Sequence, residues 1–418
     1  MKKRALCLNK EKVLFGAFLS VLIVYPYLFV LNMIIPSSLL GGKNVYIYGV
    51  TIIIIIIFGL RWKFISRVIP LEVVFLLMYF IAIIAFLNLF FYSNIKHIDV
   101  LKIPLNLVIY IGVAYSLTAN IKNRKILYNV ILYSCLVQAV VGIIHYFYFP
   151  YIMTGLGGSR PAYVIADITT ATAQAERGTL GNPNVYSLFL LLGCFLVVYR
   201  QKYFRKKWII EIVYLLTLIT ALVLSDSRFG LVLSLLLFLI YFSRLKVKRK
   251  VIVSLLAGFL IFSFYGLIEE KVRHAYHSTF LRDKESNKYH LDRISKNKNA
   301  LDLLVMDSGS ILIGPSKEET YQFKVVENNI YSDNSFFLLF HNYGIPTTII
   351  MIFIMWFVYY KTIDIKKRGT ILFFIYFLAA LWLYNSILFD IWLLFFSSSL
   401  MVLSRRNSRG GDLLSYGS

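Results

Sequence analysis

The chain has 418 residues, of which 59% are hydrophobic and 16% charged, and its formal net charge is +23. That apolar share exceeds the roughly 45–50% usual for soluble domains, which argues against a soluble globular protein and for a multi-span membrane protein. The basic residues are divided among short loops rather than gathered on one domain, which argues against a nucleic-acid partner.

A helix needs ~20 apolar residues to cross the hydrocarbon core of a bilayer. In chain order, apolar runs lie near 13–35, 45–60, 71–91, 101–119, 126–149, 184–199, 208–225, 229–243, 251–268, 334–360, 370–386 and 387–403. The second, sixth and eighth are short. The first is too long for a signal-peptide core and lacks a small-residue cleavage site, so it is expected to remain as a span. Gly344-Ile345-Pro346 interrupts the run 334–360, because proline removes a backbone donor and kinks or breaks a helix. The last pair, split around Asn385, also reads as one re-entrant hairpin. The expected fold is therefore all-α, with about twelve transmembrane helices and eleven as the alternative. Residues 1–268 carry the first nine spans and 334–404 the last three. Between them 269–333 form a large outward loop, partly helical, and 405–418 are a cytoplasmic tail.

Charge orients the bundle. Lys2, Lys3 and Arg4 open a series that continues with Arg61, Lys63 and Arg67, then Lys122, Arg124 and Lys125. It resumes at Arg200 to Lys207, Arg244 to Lys250, Lys361 to Arg368, and Arg405, Arg406 and Arg409. Cationic loops resist translocation, so these alternate connections and both termini are expected in the cytoplasm. The remaining connections face outward. One of them, residues 269–331, carries as many acidic as basic residues. The three cysteines, Cys7, Cys135 and Cys194, fall in the tail or within spans, so no disulfide is expected.

Polar groups inside hydrocarbon are costly and are functional candidates by default. Asn88, His145, Asp226, Arg228 and Asp390 all fall at outward span ends. Singly, each reads as a wetted helix end; together, beside large outward loops, they argue for a polar cavity open to the outside. The loop 150–184 contains Arg160 and Glu176-Arg177-Gly178-Thr179-Leu180-Gly181-Asn182-Pro183-Asn184. Asn182 before Pro183 is biased toward an extended or turn conformation, and Asn182 or Asn184 could cap the following helix. Arg177 is either a surface residue of a tight re-entry or a phosphate ligand, a role its planar fork suits. In Ser225-Asp226-Ser227-Arg228-Phe229-Gly230, Asp226 and Arg228 either neutralise each other or present a second arginine to a diphosphate. Leu291, Ile294, Leu301, Leu304 and Val305 repeat at helical spacing, with Arg293 at the margin of the stripe. Asp333 is a natural N-cap for the next run.

This ordered set resembles the O-antigen polymerase and ligase superfamily. The matching elements are Arg-Gly-Thr-Leu-Gly-Asn-Pro-Asn at 177–184, Ser-Asp-Ser-Arg-Phe-Gly at 225–230, and the outward insert with Arg293 followed by Gly314. Asp333-Asn334-Ser335 ahead of Tyr343-Gly344-Ile345-Pro346 completes the series. The resemblance covers about 170–360; earlier spans match in hydropathy alone. It implies a metal-independent, cofactor-free glycosyltransferase on the outer (periplasmic) face of the bacterial inner membrane. Donor and acceptor would be oligosaccharide repeat units on undecaprenyl diphosphate, with a chain-length regulator as a further partner.

Ligases of the superfamily typically carry His-Asn where this chain has Asp333-Asn334, which favours a polymerase and leaves no ligase-like histidine base to carry over. Arg177, Arg228 and Arg293 would surround the diphosphate, Arg293 nearest the reacting end. Asp333 is the first candidate for general base and Glu176 the second, with Asn182, Asn184, His145 and Asp226 lining the cavity. Fixed positive charge in a low-dielectric site would promote departure of the diphosphate without a metal. In-line displacement would invert the anomeric carbon.

Three rival readings remain from the sequence. A ligase would move finished chains onto lipid A–core. A lipid-linked oligosaccharide flippase or transporter should show two similar halves, yet the long insert has no counterpart in the first half. The third is a structural membrane partner.

Overall fold

The computed structural model describes residues 2–27, 45–66, 98–148, 183–200, 207–263 and 388–403, apart from 119 and 226, with a few positions in 265–269, 345–353 and 372–376. Among the described residues the secondary structure is helical, without strands. The long helices are α1 (Lys2–Val24), α2 (Val45–Ile65), α3 (Ile98–Leu117), α4 (Ile121–Tyr148) and α5 (Pro183–Tyr199). They are followed by α6 (Trp208–Leu224), α7 (Arg228–Ser243), α8 (Val247–Ser263) and α9 (Leu388–Leu403). One stretch, Ile121–Ile144 in α4, is long and apolar enough to cross a membrane; the apolar parts of α3, α5, α6, α7 and α9 are 10–17 residues long. The runs 71–91, 334–360 and 370–386 lie wholly or almost wholly outside the described residues, as does the charged insert.

Sequence expectation and structure differ at the first run. Helix α1 begins at Lys2, well before residue 13, and its α-helical part stops at Val24, where Tyr25–Tyr27 form a 3-10 turn. Pro26 is the physical reason: it has no N–H to donate, so the i to i−4 ladder cannot continue through it. Residues 28–35 lie outside the described part.

Helix α5 is the axis of the described bundle. Every residue from Tyr186 to Val198 is buried, Gly193 included, and the place of Gly193 is set by its neighbours. A helix apolar on all sides belongs in an interior, and α5 packs against α4, α6, α7 and α9. A Cβ on Gly193 would stand 2.9 Å from Cβ of Cys135 on α4 and 3.0 Å from Cδ1 of Leu218 on α6. The absence of a side chain there lets three helices approach closely.

Aromatic rings join α5 to the last part of the chain: Phe189 meets Phe395 of α9 edge-on at 4.6 Å, and Phe195 meets Phe373 at 5.0 Å. The Tyr376 hydroxyl donates to the Leu188 carbonyl at 2.5 Å, and the Cys135 thiol donates to the Phe189 carbonyl at 3.2 Å. Cys135 and Cys194 are free and buried.

Cross-links fix the helix directions. Tyr128 near the start of α4 donates to the Leu196 carbonyl near the end of α5, at 3.4 Å. Tyr186 near the start of α5 donates to the Gln138 carbonyl further along α4, at 3.2 Å. The two helices are therefore antiparallel, and α6 and α7 continue the alternation. The ends of α2, α3, α5 and α7 gather with the starts of α4 and α6 at one end of the bundle. The starts of α5 and α7 gather at the other.

Candidate functional site

The turn between α6 and α7 is built from serines. Ser225 caps α6 with right-handed helical angles, and its hydroxyl donates to the Leu222 carbonyl at 2.8 Å. Ser227 then adopts an extended conformation (φ −80°, ψ 100°) as the N-cap of α7, its hydroxyl oxygen accepting from the Gly230 N–H at 3.2 Å. Serine suits this position because its oxygen satisfies one of the N–H groups a helix start leaves without an internal partner. The Ser227 oxygen also accepts a hydrogen bond from the Ser187 hydroxyl of α5 at 2.9 Å. Ser187 and Ser227 are both buried.

Gly230 makes this contact possible. A Cβ there would lie 3.1 Å from each of Ser187 Cβ, Ser227 Oγ and Leu222 Cδ2. The first turn of α7 thus presses directly on the first turns of α5.

This junction joins the two sequence motifs. Ser187 follows Asn184 by three residues, and Ser227 immediately precedes Arg228. The backbones of Asn184 and Arg228 therefore stand at the same end of the bundle. His145 lies there too, two turns beyond Gln138 toward the end of α4. The side chains of these three residues lie outside the described part, as do Glu176, Arg177, Asn182, Asp226, Arg293 and Asp333 in full. One expectation is narrowed. Asn184 is the second residue of α5, not its cap, because Pro183 occupies the first helical position, where its missing N–H costs nothing. The serines present no ionisable group, so their contribution at this end is to fix backbone rather than to move protons.

The opposite end carries a second cluster that the sequence reading did not single out. Glu211, buried in the first turn of α6, forms an ion pair with Arg200 at the end of α5. The Tyr241 hydroxyl of α7 donates to the same carboxylate oxygen at 3.0 Å. Arg200 also donates to the Val197 carbonyl, and Arg244 donates to the Val198 carbonyl at 3.0 Å. Nearby, Arg61 of α2 pairs with Glu11 of α1 at 3.3 Å and donates to the Ser116 carbonyl of α3 at 2.7 Å. The signal was available: Glu211 is the one acidic residue between 184 and 225. Glu211 is matched by Arg200 and Arg61 by Glu11, and the cluster ties α5, α6 and α7 together, so it reads as a clamp rather than a reactive centre.

Among the described residues, no group of three or more His, Cys, Asp or Glu gathers in a metal-binding arrangement. Compared with known proteins, the chain matches no protein-family model and no curated protein.

Proposed function

We propose that this chain is a polytopic inner-membrane glycosyltransferase of about twelve spans. In this reading it polymerises undecaprenyl-diphosphate-linked oligosaccharide units into a surface polysaccharide of the O-antigen type, at the periplasmic face. The observation that carries the reading is the Ser187–Ser227 hydrogen bond. It brings the start of the helix that follows Arg177 against the start of the helix that begins with Arg228. The backbones of Pro183, which opens the helix after the Arg177 motif, and of Arg228 thereby stand at one end of the bundle, and in this reading Arg177 joins Arg228 there. That is the end opposite the basic loops, which the charge rule assigns to the cytoplasm.

The membrane part of the proposal is supported by what the outer helices expose. Ile52, Ile53, Ile55 and Ile56 of α2, Val213 of α6, Val232 and Leu239 of α7, and Leu255 and Phe259 of α8 are all exposed. An apolar surface this extensive calls for an apolar environment. In the active centre, Arg177, Arg228 and Arg293 would hold the lipid diphosphate leaving group. Asp333, with Glu176 as the alternative, would take the proton from the acceptor hydroxyl, a contribution of typically ~10²–10⁴-fold. The chemistry requires neither metal nor cofactor, and a chain-length regulator is a compatible partner.

The test is incubation of the purified protein in detergent with lipid-linked repeat units alone, with products resolved by chain length. A ladder that forms without lipid A–core and disappears in Arg293→Ala is the expected result. Transfer only after lipid A–core is added would make the protein a ligase, and no transfer to either acceptor would favour a flippase.

A further inference from the structure

The segment joining α7 to α8 reads Arg244-Leu245-Lys246-Val247-Lys248-Arg249-Lys250, and Arg244, Lys246 and Lys248 are exposed. Lys207, just before α6 at the same end, is exposed as well. Three cations of this group rest on aromatic faces. Arg244 lies 5.1 Å from the centre of the Tyr199 ring, Arg249 lies 5.4 Å from that of Trp208, and Lys250 lies 5.6 Å from that of Phe242. Such contacts hold long side chains in place while leaving their charge unneutralised.

Two further observations point to an anion as the ligand these cations would take. Glu211 is the one acidic residue among the described residues of 207–250, and it is already engaged by Arg200 and Tyr241. In addition, Lys248, Arg249 and Lys250 occupy the first turn of α8, which holds no acidic residue. The helix macrodipole favours negative charge at that end, so cations there oppose it unless an external anion stands beside them.

The surface next to the cations identifies the kind of anion. Val247, Val251, Leu255, Phe259 and Phe262 recur along one side of α8 at helical spacing, and all are exposed; Leu255 is 69% and Phe262 83% exposed. A soluble polyanion gains nothing from that stripe. A molecule with a phosphate at one end and hydrocarbon at the other matches both halves.

We infer that the collar of Lys207, Arg244, Lys246, Lys248, Arg249 and Lys250 binds the headgroup of an anionic phospholipid, whose acyl chains lie along the exposed stripe of α8. The inference rests on the membrane part of the proposed function and is independent of glycosyl transfer, so a protein that polymerises nothing can still bind the lipid.

The experiment uses the full chain purified in a neutral detergent and titrated with phosphatidylglycerol or phosphatidylcholine, with retained lipids counted by native mass spectrometry and thermal unfolding as a second readout. Phosphatidylglycerol should be retained and should raise the unfolding midpoint, whereas phosphatidylcholine should do neither. In Lys246→Gln/Lys248→Gln/Arg249→Gln/Lys250→Gln, affinity for phosphatidylglycerol should fall at least about tenfold, given the attraction each basic residue contributes near an anionic surface. If that variant is not recovered folded, the exposed pair Lys246→Gln/Lys248→Gln should show a smaller loss by the same count. Equal retention of both lipids, or unchanged phosphatidylglycerol binding in the variants, would overturn the assignment. So would an equal rise in midpoint with inorganic phosphate, which would make the collar a site for the free anion.

Discussion

Ser227 holds two bonds with one oxygen, and its replacement separates capping from helix contact. Ser227→Ala removes the acceptor for both the Gly230 N–H and the Ser187 hydroxyl. Loss of an N-cap costs typically ~1 kcal/mol, and loss of the Ser187–Ser227 hydrogen bond adds ~1 kcal/mol. The expected outcome is a lower unfolding midpoint in detergent that Ser227→Thr largely restores; a midpoint unchanged by Ser227→Ala would refute the capping role. Gly230→Ala tests the same junction from the other side. Its methyl would lie 3.1 Å from Ser187 Cβ, a position fixed by backbone, so overpacking of ~1–3 kcal/mol is expected. Ser187→Gly should recover part of that loss and Ser187→Ala none of it, because only the former removes the opposing carbon. Unfolding of the double variants measures the difference.

At the scale of elements, α5 is held by contact at its middle and by charge at its end. Gly193→Ala places a methyl 2.9 Å from Cys135 Cβ and against Leu218, so α4, α5 and α6 must move apart. A destabilisation of ~1–3 kcal/mol is expected, larger for Gly193→Val, and it is read as thermal unfolding of the detergent-solubilised protein. The Arg200–Glu211 pair behaves differently. Arg200→Met alone breaks the buried Arg200–Glu211 pair, a defect worth ~3–5 kcal/mol. Arg200→Met with Glu211→Leu should be far milder, since two apolar groups of similar volume can replace such a pair nearly neutrally. A double variant as unstable as Arg200→Met alone would show that the carboxylate has some other essential partner.

These elements also show how far the sequence could be read. The boundaries of α5, α6, α7 and α9 fall within one residue of the apolar runs, because Pro183, Ser227 and the basic loops punctuate them. The start of α1 was missed, since a basic, polar tail can be helical without being apolar. Glu211 stands out in the sequence as a lone acid in an apolar run, but its partner eleven residues away across a loop does not.

At the scale of the whole molecule, the proposed topology makes its own prediction. With Cys7 replaced, Ser286→Cys in the charged insert should react with a membrane-impermeant maleimide added outside spheroplasts, and Ser408→Cys should react only after permeabilisation. Cys135 and Cys194 are buried and should stay silent in both cases. Reaction of Ser408→Cys in intact spheroplasts would reverse the orientation and move Arg177 and Arg228 to the wrong face for the proposed chemistry.

The sequence by itself determined the helical class of the described residues, the boundaries of α5, α6, α7 and α9, and the alternation of charge along the chain. All three are local properties: apolar length, proline and serine punctuation, and the cost of moving lysine and arginine across a bilayer. Tertiary structure decided which helix ends meet. That Ser187 finds Ser227, that Glu211 pairs with Arg200 and accepts from Tyr241, and that α5 is the axis depend on contacts between residues far apart in the chain. Such contacts follow from packing volume at positions such as Gly193 and Gly230, and a glycine in a linear sequence does not say which neighbour it is making room for.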